Sequence, residues 1–128
     1  MNTTTDSSTE FCIDTALCLK HSNGNPELAA KLLALLLADL QTIQHGVHRA
    51  LREARLGDAL ELVHKLHGNS CYTGVPSLTA ACKTLEQKLK AQGDFPSAQA
   101  LADFDYAAHT LLDWQEQHEV AVLFGVDM

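Results

Sequence analysis

Residues 25–57 read NPELAAKLLALLLADLQTIQHGVHRALREARLG, and their apolar side chains return at steps of three and four. Asn25, Pro26 and Glu27 combine a capping side chain, a first-turn proline and a first-turn acid, which together start a helix. Leu32, Leu36, Leu40, Ile43, Val47, Ala50 and Ala54 then fall on one face, and Gly57 supplies the stop. Gly46 lies inside this stretch at a cost of about 1 kcal/mol relative to alanine, so a bend is expected there. The leucine-rich part, Leu28 to Leu40, is interrupted by Lys31 and Asp39 and falls short of the roughly 20 apolar residues that cross a bilayer. It reads as one long helix with a buried stripe, and direct membrane insertion is not expected.

Toward the N-terminus, residues 1–10 are polar after Met1 and read as a disordered tail or linker. Asp14 is placed to cap a short helix through Lys20, with Leu17 and Cys18 inward, and Ser22-Asn23-Gly24-Asn25 ends it. Toward the C-terminus, Asp58 offers a cap for a helix lined by Ala59, Leu62, Val63, Leu66 and Ser70 and running toward Gly74. Val75-Pro76 restarts the chain, and Leu78, Cys82, Leu85 and Leu89 repeat until Gly93. After the turn Asp94-Phe95-Pro96-Ser97, the face Leu101, Phe104, Ala108, Leu111, Gln115 continues to about His118. The expected fold is all-α, an up-and-down four-helix bundle over residues 11–119 with an additional short N-terminal helix, and residues 120–128 form a C-terminal tail.

The 128-residue length gives one domain, with no room for a second catalytic module. Hydrophobic residues at 46% against 20% charged residues place the chain among globular proteins. Its net charge of −7 repels a phosphate backbone, so no nucleic-acid partner is expected. Cys12, Cys18, Cys71 and Cys82 form no Cys-x-x-Cys pair and no disulfide-dense pattern, and no secretory leader opens the chain, which fits a cytoplasmic protein. Cys12, Cys18 and Cys82 read as small buried hydrophobes.

The helix from Asp58 toward Gly74 carries the chemistry. At about 100° per residue, His64 projects well away from the apolar direction of Ala59, Leu62, Val63 and Leu66. Four residues later comes Gly68, a residue unfavourable inside a helix. Without a side chain there, a bulky reactant and a partner surface can approach the imidazole while the helix holds the ring. A free imidazole, with a pKa of about 6.5, is mostly neutral at pH 7 and carries a nucleophilic nitrogen suited to phosphoryl capture.

The string Val63-His64-Lys65-Leu66-His67-Gly68, followed by Gly74-Val75-Pro76 and Leu85-Glu86, resembles the histidine-containing phosphotransfer (HPt) domain. The nearest kind is the one at the C-terminus of bacterial hybrid sensor histidine kinases, and the resemblance runs over about residues 11–118 in helix order. It implies that His64 takes a phosphoryl group from an aspartate of one receiver domain and hands it to an aspartate of a response regulator. It implies no ATP site or autokinase motif, so the chain is a carrier within a phosphorelay of a two-component system and not an enzyme. It implies no cofactor of its own, with Mg²⁺ held by the partner receiver. The commoner family pattern has lysine where His67 stands, so His67 is the candidate phosphoryl stabiliser, its charge conditional on pH. Glu86 occupies a family position next to the histidine and is the candidate that orients the ring. Receiver docking and access are assigned to Glu61, Lys65, Gly68 and Cys71, and the chain is expected to be a monomer.

Other readings use the same residues. His45 and His48 sit close together on the long helix and read as ordinary surface residues. His64, His67 and Cys71 share a helical stripe and could act as soft metal ligands, but zinc wants a fourth ligand and no metal site is assigned. The alternative functions are an interaction module that docks a receiver or helical partners without accepting phosphate, and a metal-binding bundle.

Overall fold

The computed structural model describes residues 12–92 and 98–127. Within them lie six helices: α1 (Thr15–His21), α2 (Pro26–Arg52), α3 (Leu56–Ser70), α4 (Pro76–Gln92), α5 (Ala98–Gln117) and α6 (Val120–Phe124). The expected tail over residues 1–10 and the Asp94–Ser97 turn lie outside the described residues. Helices α2 to α5 pack in sequence, each on the next, and α5 returns to α2 to close the bundle. The expected all-α four-helix architecture is present, with α1 as the additional N-terminal helix packed on α2.

The caps at the first two helices form as their residue types dictate. Asp14 accepts a hydrogen bond from the Leu17 amide at 3.0 Å, and Asn25 accepts one from Leu28 at 3.1 Å. The end of α2 departs from expectation. It stops at Arg52, and Ala54 takes the left-handed turn (φ 59°) that the sequence assigned to Gly57. The Arg55 amide donates back to the Ala50 carbonyl at 2.8 Å. A left-handed alanine costs about 1–2 kcal/mol and escapes any rule that looks for glycine. Gly57 and Asp58 therefore fall inside the first turn of α3, whose N-cap is Arg55 without a side-chain cap bond. Asp58 is no cap; it pairs with Arg55 at 2.5 Å.

The buried stripe of α2 is Leu33, Leu36, Leu37, Leu40, Ile43, Gln44, Val47, Ala50 and Leu51. Leu32 is only half-buried and Ala54 is exposed, contrary to expectation, because adjacent leucines offer two registers and the core selects the one through Leu33 and Leu37. In α5 the stripe is Phe104, Ala107, Ala108, Leu111 and Trp114, and Gln115 points outward. Leu78, Cys82, Leu85 and Leu89 of α4 are buried as expected. The stretch 120–128, expected as a tail, carries α6, and Val120, Leu123 and Phe124 pack on the core against α2.

Two glycines mark close approach. A Cβ on Gly46 would stand 3.0 Å from Leu62 Cδ1, so this glycine admits α3 against α2, and α2 runs through it as one helix. A Cβ on Gly74 would collide with the backbone of Asp14 and Cys18. Gly74 instead accepts from the Asp14 amide at 2.8 Å and donates to Cys18 Sγ at 3.2 Å, which ties α1 to the α3–α4 turn.

Candidate functional site

His64 stands on the outer face of α3, opposite Ala59, Val63, Leu66 and Ser70, with 70% of its side chain exposed. Its ring leans toward α4, where Glu86 follows Cys82 by one turn and is buried, its side chain 8% exposed. Glu86 Oε2 lies 2.5 Å from His64 Nδ1, and Oε1 lies 2.9 Å from His67 Nδ1. Both oxygens of one carboxylate are thus engaged by two imidazoles one turn apart on α3. Lys90, one turn after Glu86, brings its ammonium to 3.2 Å from the same oxygen that His64 uses.

Burial pushes the Glu86 carboxyl up, but hydrogen bonds from His64, His67 and Lys90, with the charge of His64, outweigh it and hold the pKa at about 2 instead of the ordinary 4.5. An ionised carboxylate only accepts, so each histidine presents Nδ1–H to it. The Nε2 of His64 then carries the lone pair and faces solvent, which is the arrangement of a poised nucleophile. Burial pushes the neighbouring Cys82 thiol up to about 12, with Glu86 and Cys71 adding to the effect, so Cys82 is an inert part of the wall.

The register of α3 on α4 is pinned just beyond the histidines. Ser70 Oγ donates to the His67 carbonyl at 2.7 Å, and Thr79 Oγ1 donates to Ser70 Oγ at 2.9 Å. These two hydroxyls fix the C-terminal turn of α3 against the first turn of α4, which sets the distance from His64 to Glu86.

Of the residues singled out in the sequence, His64, His67 and Glu86 come together. Glu61, Lys65, Gly68 and Cys71 are exposed around them on α3 and its C-cap. A Cβ built on Gly68 meets nothing within 4 Å, so the space beside His64 is open. Lys90 was not singled out, although Glu86 and Lys90 stand at the i,i+4 spacing of a helical ion pair.

The reading of His48 as an ordinary surface residue is corrected. It is half-buried with Nε2 2.7 Å from Asp105 Oδ1, and the same oxygen accepts from buried Gln44 at 3.0 Å. Gln44 Nε2 also lies 3.2 Å from His109 Nε2. The signal was two matching i,i+4 pairs, Gln44–His48 on α2 and Asp105–His109 on α5, which become one network only when the helices are adjacent. His45 is exposed. Among the described residues no group of three or more His, Cys, Asp or Glu is arranged to hold a metal ion, and no helix is long and apolar enough to cross a membrane.

Fold and site together define a helical bundle that offers one carboxylate-braced imidazole to an outside reactant. The profile of the Hpt domain family matches residues 31–120, and the chain belongs to that family of phosphotransfer domains. The chain is similar to the sensor histidine kinase GacS of Pseudomonas protegens, 43% identical over 90 residues, which is 70% of this chain and 10% of that kinase. It is also similar to the signal transduction histidine-protein kinase BarA of Escherichia coli K12, 33% identical over 78 residues, 61% of this chain and 8% of BarA. The chain therefore spans a tenth or less of these relatives' length. The crystal structure of an HPT domain from a sensor hybrid histidine kinase of Shewanella superposes with a TM-score of 0.70 at 28% identity, covering 88% of this chain and 93% of that one.

Proposed function

We propose that the chain is a phosphorelay intermediate in which His64 accepts a phosphoryl group from a receiver-domain aspartate and passes it to a response-regulator aspartate. The observation that carries this reading is the His64–Glu86 hydrogen bond, which holds the proton on Nδ1 and leaves Nε2 toward solvent. The Nε2 lone pair forms a bond to phosphorus as the bond from phosphorus to the aspartyl oxygen breaks, and that carboxylate leaves with the electron pair. The ring becomes positively charged, and Glu86 offsets that charge across Nδ1–H. The reverse step delivers the phosphoryl group to the second receiver and returns the ring to neutral without moving the Nδ1 proton. Mg²⁺ bound in each receiver screens the phosphoryl oxygens. The bundle contributes a nucleophile and its orientation and needs no nucleotide site, so it acts as a carrier and not as a kinase.

His67 and Lys90 flank the acceptor through the shared carboxylate and are the side chains placed to supply positive charge for the phosphoryl oxygens. Glu61, Lys65, Gly68 and Cys71 form the apron that a receiver covers. We place the carrier in the cytoplasm as a monomer, because it must meet receivers one at a time and its described cysteines are all unpaired.

Incubation with a phosphorylated receiver tests the proposal. A carrier gains an acid-labile, base-stable phosphoramidate that His64→Gln removes. A module that only docks receivers gains none.

A further inference from the structure

The chain carries a net charge of −7, yet its basic side chains gather at one place away from His64. Arg49 and Arg52, two of its three arginines, line a pocket of about 550 Å³ between the C-terminal end of α2 and the middle of α5. His45 and His48 of α2 and His109 of α5 stand in the same wall. The seam that holds this pocket, α2 on α5, is a different one from the α3–α4 seam where His64 meets Glu86.

Asp105 is the one acid in the wall, and its charge is already met. Its Oδ1 lies 2.7 Å from His48 Nε2 and accepts from the Gln44 amide at 3.0 Å. The second hydrogen of that amide goes to His109, whose Nε2 lies 3.2 Å away and must accept, because the amide nitrogen can only donate. The ring proton of His109 is therefore on Nδ1, and this N–H is left for a partner outside the network. Arg49 pairs with Glu53 at 3.5 Å on the exposed surface, whereas Arg52 forms no ion pair with a described residue. Both arginines complement the negative end of the α2 dipole, and that role accounts for their charge. It does not call for His45 and a donating His109 over the same hollow.

The charge of the whole chain limits what can enter. An extended polyanion meets the field of all the acidic side chains, while a small anion meets only the pocket. A lone carboxylate gains little from exposed cations in water. A phosphate group brings up to two charges and several acceptor oxygens, in the geometry that the guanidinium fork matches.

We propose that this pocket binds a small phosphate-bearing anion, gripped by Arg49 and Arg52 from α2 and by His109 Nδ1–H from α5, independently of the phosphoacceptor.

Inorganic pyrophosphate at constant ionic strength is the probe, and the backbone amide shifts of the isotope-labelled chain are the readout. Wild type should give a saturating response centred on residues 44–52 and 105–109. Arg52→Ala should raise the Kd at least about tenfold, the cost of one charge-assisted contact. Arg52→Gln repeats the comparison where alanine alters thermal unfolding. Lys31→Ala removes an exposed cation of α2 outside the pocket and should bind as wild type, as should His64→Gln. Shifts that grow linearly without saturating overturn the proposal, as does a Kd unchanged in both Arg52 variants. Equal weakening in Lys31→Ala reduces the effect to general charge attraction, and loss of binding in His64→Gln moves the anion to the phosphoacceptor face; either result overturns it too.

Discussion

His64 Nδ1 lies 2.5 Å from Glu86 Oε2, and this contact decides which ring nitrogen meets the solvent. Glu86 can do this because it is buried yet ionised. Its carboxylate is held low by three donors, and the penalty for burying it is offset by His64, His67 and Lys90 together. Removing one donor leaves two, so the site tolerates change at a histidine better than at the acid they share.

Glu86→Gln and Glu86→Ala should separate orientation from charge. Glutamine keeps an oxygen acceptor near Nδ1 and should lower the transfer rate by roughly tenfold, as loss of a supporting partner commonly does. Alanine also removes the acceptor and should slow transfer further. Rapid-quench transfer from a phosphorylated receiver reads both, and equal rates in the two variants would show that only the charge matters.

His64→Gln should abolish phosphorylation while changing stability by under about 1 kcal/mol, because the ring is largely exposed and packs little. His48→Gln should do the reverse. It breaks the contact to Asp105 and should cost up to about 1 kcal/mol, with transfer untouched. Urea unfolding and phosphotransfer on both proteins check the pair, and transfer lost in His48→Gln would place a second acceptor on α2.

Much of this site was legible in the sequence because its parts are local. His64, His67 and Gly68 share one helix, and helical spacing alone puts an open position beside an outward histidine. The apolar steps through Leu78, Cys82, Leu85 and Leu89 likewise gave α4 its buried face. What the sequence hid depends on neighbours between helices or on an exception to a local rule. Ala54 adopts the turn that glycine ordinarily takes, so the end of α2 was placed too late. Gly46 appeared as a weak point and is a contact with Leu62. His48 read as a surface residue, and its network with Gln44, Asp105 and His109 forms only because α5 lies against α2. Lys90 was not singled out, although it stands at i,i+4 from Glu86, and its nearness to His64 follows only from the packing of α3 on α4.

Gly68→Leu should slow transfer strongly while leaving the bundle as stable or more stable by up to about 1 kcal/mol. Leucine is the better helix former, and its Cβ enters open space. Melting temperature and transfer rate should therefore move in opposite directions. A variant that transfers at the wild-type rate removes the access role of Gly68.

Acid should weaken the fold through Glu86. Its folded pKa is depressed from 4.5 to about 2, so the stability it contributes is fully present above 4.5 and is lost as pH falls toward 2. The stability difference between wild type and Glu86→Gln should shrink across that window. Urea unfolding at about pH 7, 5 and 3 measures it. A difference that stays the same down to pH 3 shows that the carboxylate is not stabilised by its three donors.

His67→Lys tests whether charge beside the acceptor governs the rate. His67 Nδ1 lies 2.9 Å from Glu86 Oε1, on the opposite oxygen from His64, so a cation at this position faces the acceptor across the carboxylate. A lysine ammonium keeps its charge to about pH 10, whereas an imidazole loses its charge in the neutral range. Two effects of pH oppose each other for any imidazole pair of this kind: acid protonates an imidazole nucleophile, and mild alkali removes the charge of an imidazolium neighbour. The lysine variant keeps the first effect and loses the second. Its transfer rate should decline less than that of wild type between about pH 7 and pH 8.5, measured with the donor receiver held constant. Lys90, unchanged in both proteins, provides the same background charge, so parallel pH profiles would assign His67 to orienting Glu86 and leave the electrostatic role to Lys90 alone.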